Sequence, residues 1–401
     1  MTTKPTSSSV LRAAGGTVLV VTLLLTGLVT AAYGGKKKDA TPAPAAPQVD
    51  TSRLVWPAPP AITRIRWLNS VQGEQDVDNA PVKKRKTSWM DKMAGVSLPQ
   101  ERGKPRLVKP YGVDSDSKGI VYVADTGNGF VFAFDLEKKK VSYRGVGALQ
   151  TPSGLVVDDV DRLFVADSGQ RAVFVFRPDG GIEGMFGQDR LARPVGLAVD
   201  NENRFLYVVD TAANRVVVFD ADDYRFLRYV SKTGDLIDGG MSAPTNAAVD
   251  SECNLYVTDT FNSRVLVFDA DGEFLSSFGE PGSTPGTFMR PKGIAVDQDN
   301  HIYVADAEFN NVQIFDQDGH VLLFFGQRGE TAGAFTLPTG IAVDKQSRVL
   351  VTEQWLGRLQ LFRYVPDKDA ETEYQKAVKA QVDAEKAAPR ADAKDQAAGK
   401  Q

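Results

Sequence analysis

PKGIAVDQDNHIYVADAEFNNVQIFDQDGHVLLFFG, residues 291–326, is the stretch whose reading decides the fold. It opens on a proline, runs as a short apolar strand to an Asp, turns, and runs again as IYVAD before a polar loop. Two further apolar strands, VQIF and VLLFF, follow, separated by the turn DQDGH. Residues 244–279, PTNAAVDSECNLYVTDTFNSRVLVFDADGEFLSSFG, repeat this order position for position. Looser copies begin at Pro110, Pro152, Pro194 and Pro338, so the six prolines are spaced by 42, 42, 50, 47 and 47 residues. That period holds one four-stranded sheet per unit, and six such sheets predict an all-β, six-bladed propeller.

The repeated residues divide into those the fold requires and those it does not. Phe134, Phe176, Phe219, Phe268, Phe315 and Phe362 each stand nine residues after the acidic residue that ends a second strand. A large apolar side chain demanded by every blade reads as core. The acidic series itself, Asp125, Asp167, Asp210, Asp259, Asp306 and Glu353, resembles a ring of carboxylates, but its regularity points to side chains that bond the amides of their own turns. The last repeat ends at Arg363 without a fourth strand. Residues 62–71, ITRIRWLNSV, alternate as the other outer strands do, and are expected to complete blade 6 and close the ring.

The ends of the chain differ in composition. Residues 13–35 form an uncharged run containing VLVVTLLLTGLV, which suits either a secretory signal or a single membrane-spanning helix. No cysteine stands at its end for lipid attachment. The expected organisation is a signal peptide or signal-anchor at 1–35, a Pro-rich linker at 36–60, the propeller at 61–366, and an Ala/Lys/Glu-rich tail, helical or disordered, at 367–401. Within the propeller, residues 61–71 are the closing strand, 72–108 an insertion with a short helix expected from Ser88, and 109–363 the six repeats. These features place the ring outside the cytoplasm, in a cell envelope or periplasm, with an inner-membrane anchor through residues 13–35 as one outcome.

Composition limits the chemistry. The formal charge of -4 argues against a generic nucleic-acid binder, because that affinity rests on Lys and Arg neutralising phosphates. One cysteine, Cys253, and two histidines, His301 and His320, leave little for a disulfide, a zinc site or haem attachment. No catalytic constellation stands out, no metal ligand set is identified, and no cofactor is expected. The basic run Lys83–Lys86 reads as a solvated loop or a contact with anionic lipid or an acidic protein.

The combination of P-x-G-[IL]-x-V-D, [LI]-Y-V-x-D, N-x-R-V-x-V-F and F-G resembles the NHL repeat, across all six units and the closing strand, in a bacterial envelope-located form. Blade 6 departs by ending its second strand in Glu353, and blade 1 by carrying Gly129-Phe130 where later blades carry Asn-Arg or Ser-Arg. The resemblance implies a six-bladed ring that serves as a binding platform, although some similar rings are enzymes. Amidating lyases of this fold use several histidines for zinc, and neither histidine here matches such a position. Gluconolactonase-type rings hold calcium in the channel with acidic and Asn residues, and no such set is evident. RNA-binding members use a basic face, which draws attention to Arg171, Arg215, Arg264 and Arg358; their recurrence favours a structural role.

Differences between blades carry more functional information. The loops after the second strands read TGNG, SGQR and TAAN in blades 1–3 but TFNS, AEFNN and QWLG in blades 4–6. Phe261, Phe309 and Trp355 thereby bring large aromatics to one sector of one face, the kind of anchor that protein contacts use. The sequence therefore points to a scaffold for another envelope protein, tethered to the membrane through its N-terminal segment and not binding nucleic acid. The competing reading is a metal-dependent lyase or lactonase-like enzyme with its site in the central channel.

Overall fold

The computed structural model describes residues 50–77, 103–230 and 240–387. The leader at 1–35, the linker up to residue 49, the run Lys83–Lys86 and the helix expected from Ser88 lie outside these residues. No helix among those described is long and apolar enough to cross a membrane. Six antiparallel sheets form the blades. Blade 5 shows the plan: Pro291–Val296 innermost, then Ile302–Asp306, Asn311–Phe315, and Val321–Phe325 at the rim. Because the strands alternate in direction, the loops between second and third strands share one face with the connections that lead into each next blade. The turns DQDNH and DQDGH share the other.

Second strands are buried along all or all but the first residue of their length, as in Leu163–Asp167 and Leu255–Asp259, because each is covered by a neighbouring blade on both sides. The six recurrent phenylalanines are all buried. At about 1.5–3 kcal/mol each, they are a large share of what holds blade to blade. The connections into blades 5 and 6 carry an extra loop that folds back on itself, with Phe288 and Phe335 buried and paired to Pro281 and Arg328. Those loops account for the 47-residue spacing against 42 in the first two units.

Blade 6 has five strands, ordered Val55–Trp56, Ile65–Val71, Arg358–Tyr364, Arg348–Glu353 and Pro338–Val343. The expected closing strand is present, in register from Ile65 opposite Tyr364 to Val71 opposite Leu359, with a bulge at Trp67–Asn69. The linker assignment needs correction at its end. Val55 and Trp56 pair with Arg66 and Ile65, and the Trp56 ring sits 5.9 Å from Phe325 and 5.8 Å from Phe362. An indole with aromatic partners on two blades gains more from burial than extended proline-flanked backbone gains from water, so the ring begins before residue 60.

Past the ring, Asp367–Ala387 is an α-helix. Tyr374 and Val378 of its thin apolar seam line a groove of about 260 Å³ shared with Pro59, Pro60 and Ala61. Arg66 bonds Glu373 at 2.6 Å, and Arg64 bonds Asp367, so the helix is tied to the closing strand by charge. The insertion leaves the ring at Gln72 and returns at Leu107, where the Leu107 N–H donates to the Gln72 carbonyl at 2.8 Å.

Candidate functional site

The acidic series is a set of turn latches. Asp125 accepts the N–H groups of Val108 at 2.6 Å and Lys109 at 3.1 Å from the incoming connection, and those of Gly127 and Asn128 at 2.9 Å from its own loop. Asp167 and Asp306 repeat the arrangement. Each carboxylate is fully buried and spends its lone pairs on backbone amides, leaving none for a cation in the channel. Glu353 does the same work with a longer reach. It accepts the Thr336 N–H at 2.8 Å and the Gln360 amide at 2.8 Å, and pairs with the buried Arg358. Burial raises the Glu353 pKa, and Arg358 opposes that rise.

Three of the four recurrent arginines, Arg215, Arg264 and Arg358, are spent in the same way. Arg264 pairs with Asp259 at 2.9 Å and donates to the Gly240 carbonyl, and Arg215 donates to the Arg190 carbonyl at 2.6 Å. Arg171 adopts a left-handed conformation, with φ of 55°, at the matching corner of blade 2.

Both histidines lie in turns of blade 5, on the face opposite the aromatic loops. Asp297, Asp299 and His301 form one group of three donors, and Asp316, Asp318 and His320 another. Asp297 Oδ2 is already engaged by the Tyr303 hydroxyl at 2.9 Å and by His301 Nδ1 at 3.0 Å. That bond to Asp297 raises the His301 pKa, which favours imidazolium over a metal ligand. Cys253 faces Asp200 and Glu202 at 3.6 Å, and burial with these carboxylates pushes its thiol up to about 12, so it is inert as a nucleophile.

The aromatic sector narrows from three residues to two. Phe261 and Trp355 stand two positions after the acidic latch and are each 69% exposed. Phe309 stands three positions after its latch and is half-buried. At that third position Asn128, Gln170 and Asn262 reach back to carbonyls of the incoming connection, so a side chain placed there folds against the ring. Glu308 takes the exposed position in blade 5. Gly127, Gly169 and Ala212 hold it in blades 1–3.

Two residues that no repeat signal flagged extend the sector. Met289, 50% exposed, follows the Ser263 corner, whose hydroxyl donates to the Met289 carbonyl at 3.3 Å. Val108, 52% exposed, lies beside the Trp355 loop: Gly357 packs so closely there that an added Cβ would stand 2.4 Å from the Leu107 oxygen. Phe261, Met289, Trp355 and Val108 are thus exposed apolar side chains on one face of blades 4–6 and the start of blade 1, with the exposed Glu308 and Arg290 among them.

The central channel holds a cavity of about 280 Å³ walled by the inner strands of all six blades. Asp114 of blade 1 replaces the Ala or Val found at its position elsewhere. Its carboxylate accepts the N–H groups of Val157 and Ser115, both at 2.8 Å, and burial pushes its pKa up to about 6.

Comparison with known proteins agrees with this geometry. A family model described as a 6-bladed beta-propeller matches residues 248–310, and the NHL repeat model matches residues 191–219. The protein is an NHL-repeat propeller of six blades. Among solved structures it is similar to a protein of unknown function from Bacteroides thetaiotaomicron VPI-5482, at 19% identity over 64% of this chain and 70% of that one, with a TM-score of 0.55. A streptogramin B lyase aligns at 13% identity over 67% of this chain and 96% of its own, with a TM-score of 0.51. A gluconolactonase of Xanthomonas campestris aligns at 19% identity over 66% and 90%, with a TM-score of 0.50. Likeness at these identities concerns the fold. No curated protein matches the chain in sequence.

Proposed function

We propose that this chain is an extracytoplasmic scaffold of a bacterial envelope that binds another protein through the exposed apolar side chains over blades 4–6. The observation that carries this reading is the pair Phe261 and Trp355, each 69% exposed where three other blades present Gly or Ala. Nothing in the repeat requires an aromatic at that position, and large exposed aromatics on a rigid ring are suited to anchor a contact. The uncharged run at 13–35 and the proline-rich stretch after it support a location outside the cytoplasm and a membrane tether. Cross-linking in intact cells, followed by mass spectrometry of captured proteins, tests it: the Phe261→Ala, Trp355→Ala double variant loses a partner that the parent chain captures. An unchanged set of captured proteins removes the proposed interface.

The competing reading, a metal-dependent lyase or lactonase-like activity in the channel, predicts stoichiometric calcium or zinc in the purified protein. A metal-free preparation whose melting temperature does not rise with either ion counts against it.

A further inference from the structure

The wall of the central cavity is apolar except where inner strands depart from the repeat. Leu155, Leu197, Ile294 and Ile341 hold one equivalent position in four blades and line the cavity. At the next position blade 1 carries Asp114, where blade 2 has Val and blades 3–6 have Ala. Among the described residues Asp114 is the one carboxylate of the lining, and Asn201 and Asn246 are its only other polar side chains. Each inner strand is the edge of its sheet, so the backbone groups on its open side face the channel instead of another strand. The Val157 N–H is one such group, and Asp114 accepts it at 2.8 Å.

On the face of the DQDNH turn the cavity meets a mouth of about 150 Å³, and the two share Asp114, Val157, Asn201 and Val343 in their walls. Five Asp side chains and Lys345 line this mouth. Asp158, Asp159 and Asp344 are paired with Arg162, Arg204 and Arg348. Asp114 and Asp116 have no ion pair among the described residues. Asp116 accepts the N–H groups of Lys118 and Ile120 and the Tyr122 hydroxyl, and Asp114 accepts only the N–H groups of Val157 and Ser115, so every donor to them is neutral. Two bonds leave the Asp114 carboxylate with acceptor sites to fill. Burial works against its charge and raises its pKa, and the Ala of four other blades shows that the fold does not need a carboxylate there. A cation drawn to these two unpaired charges through the mouth removes that cost. One carboxylate in an aliphatic wall suits a single ammonium group better than calcium, which takes about six to eight oxygen ligands. The groups of three ligating side chains among the described residues lie in turns of blade 5 instead.

We propose that the central channel binds a small aliphatic amine, with its ammonium group on the Asp114 carboxylate and its carbon chain against Leu155, Leu197, Ile294 and Ile341. Carbonyls on the open edges of the inner strands accept the remaining ammonium N–H groups. Asn246 stands two strand positions closer to the aromatic face than Ala248, the blade 4 equivalent of Asp114, and offers a polar contact to the far end of the guest. The cavity, at about 280 Å³, lies near the small end of ligand pockets and sets the size of that guest. The site is inside the ring, so it and the protein-binding face over blades 4–6 can each fail without the other.

The test is isothermal titration calorimetry of the metal-free full chain with putrescine, with the uncharged diol of the same length, and with calcium chloride, at matched ionic strength. One saturable site for putrescine and none for the diol is the expected result. Asp114→Ala installs the residue of blades 3–6 and weakens putrescine binding by about tenfold or more. Because burial disfavours the Asp114 charge, that variant folds at least as stably as the parent, and the loss reports the site. Asp299→Asn, at an exposed carboxylate of a blade 5 turn on the same face, leaves binding unchanged. Putrescine that does not bind, binds Asp114→Ala as well as the parent, or binds no better than the diol overturns the proposal. Calcium binding that depends on Asp114, with no putrescine site, overturns it too and assigns the channel to the metal-dependent reading.

Discussion

The indole N–H of Trp67 donates to Gln360 Oε1 at 2.9 Å, joining two residues 293 positions apart. Gln360 is fully buried and gives its own amide to the Ala334 carbonyl at 2.7 Å and to Glu353 at 2.8 Å. The closing strand is therefore bonded into the polar latch of the last blade as well as paired along its backbone. Closing the ring this way makes every blade depend on contacts between the two ends of the propeller.

Removing that strand is expected to destabilise the whole ring. Ile65 is fully buried in the core shared by blades 5 and 6, and Ile65→Ala is expected to cost about 2–5 kcal/mol in urea unfolding. Deletion of residues 61–71 lowers the urea midpoint further. A deleted chain that melts like the intact one shows the closure to be dispensable.

The latch of blade 6 makes a second prediction. Arg358→Met leaves Glu353 buried without its partner, at a cost of about 3–5 kcal/mol at neutral pH. The carboxyl pKa is already raised by burial, and losing Arg358 raises it further. A folded pKa above the unfolded one means that protonation favours the fold, so the defect shrinks as pH falls. Urea midpoints of parent and variant at pH 7 and pH 5 measure this.

Asp114 gives a pH dependence of the same sign in the parent chain. Its pKa rises from 3.8 to about 6 on folding, so the folded state holds the proton more tightly between those values. Its contribution is neutral below the unfolded pKa and becomes destabilising as pH rises through about 6. The full effect is at most about 3 kcal/mol. Asp114→Ala, the residue of blades 3 to 6, should gain stability relative to the parent between pH 4 and pH 7.5. Parallel stability curves for the two chains would falsify the assignment.

Much of this was legible in the sequence because its causes are local. An Asp that bonds amides two and three residues ahead, and a Phe nine residues later, recur wherever a blade recurs. Phe309 differs from Phe261 and Trp355 because one residue of loop register separates an exposed position from one that folds against the ring. In AEFNN the aromatic is one place later than in TFNS. Trp56 was hidden by its setting among prolines, since its partners Phe325 and Phe362 are remote in sequence.

The exposed and folded-back aromatics should separate in stability. Phe261→Ala and Trp355→Ala should each change the unfolding free energy by less than about 0.5 kcal/mol, as exposed substitutions do. Phe309→Ala should cost about 1–3 kcal/mol, a partial version of the loss at a buried Phe. Urea unfolding of the three single variants decides between equal roles and this division.

Site-specific photo-cross-linking in cells tests the proposed interface most directly. A benzophenone side chain placed at position 261 or 355 should yield the same protein adduct, and one at position 212, the matching loop site of blade 3, should yield none. Adducts of equal yield at all three positions, or none at 261 and 355, would contradict a binding surface over blades 4–6.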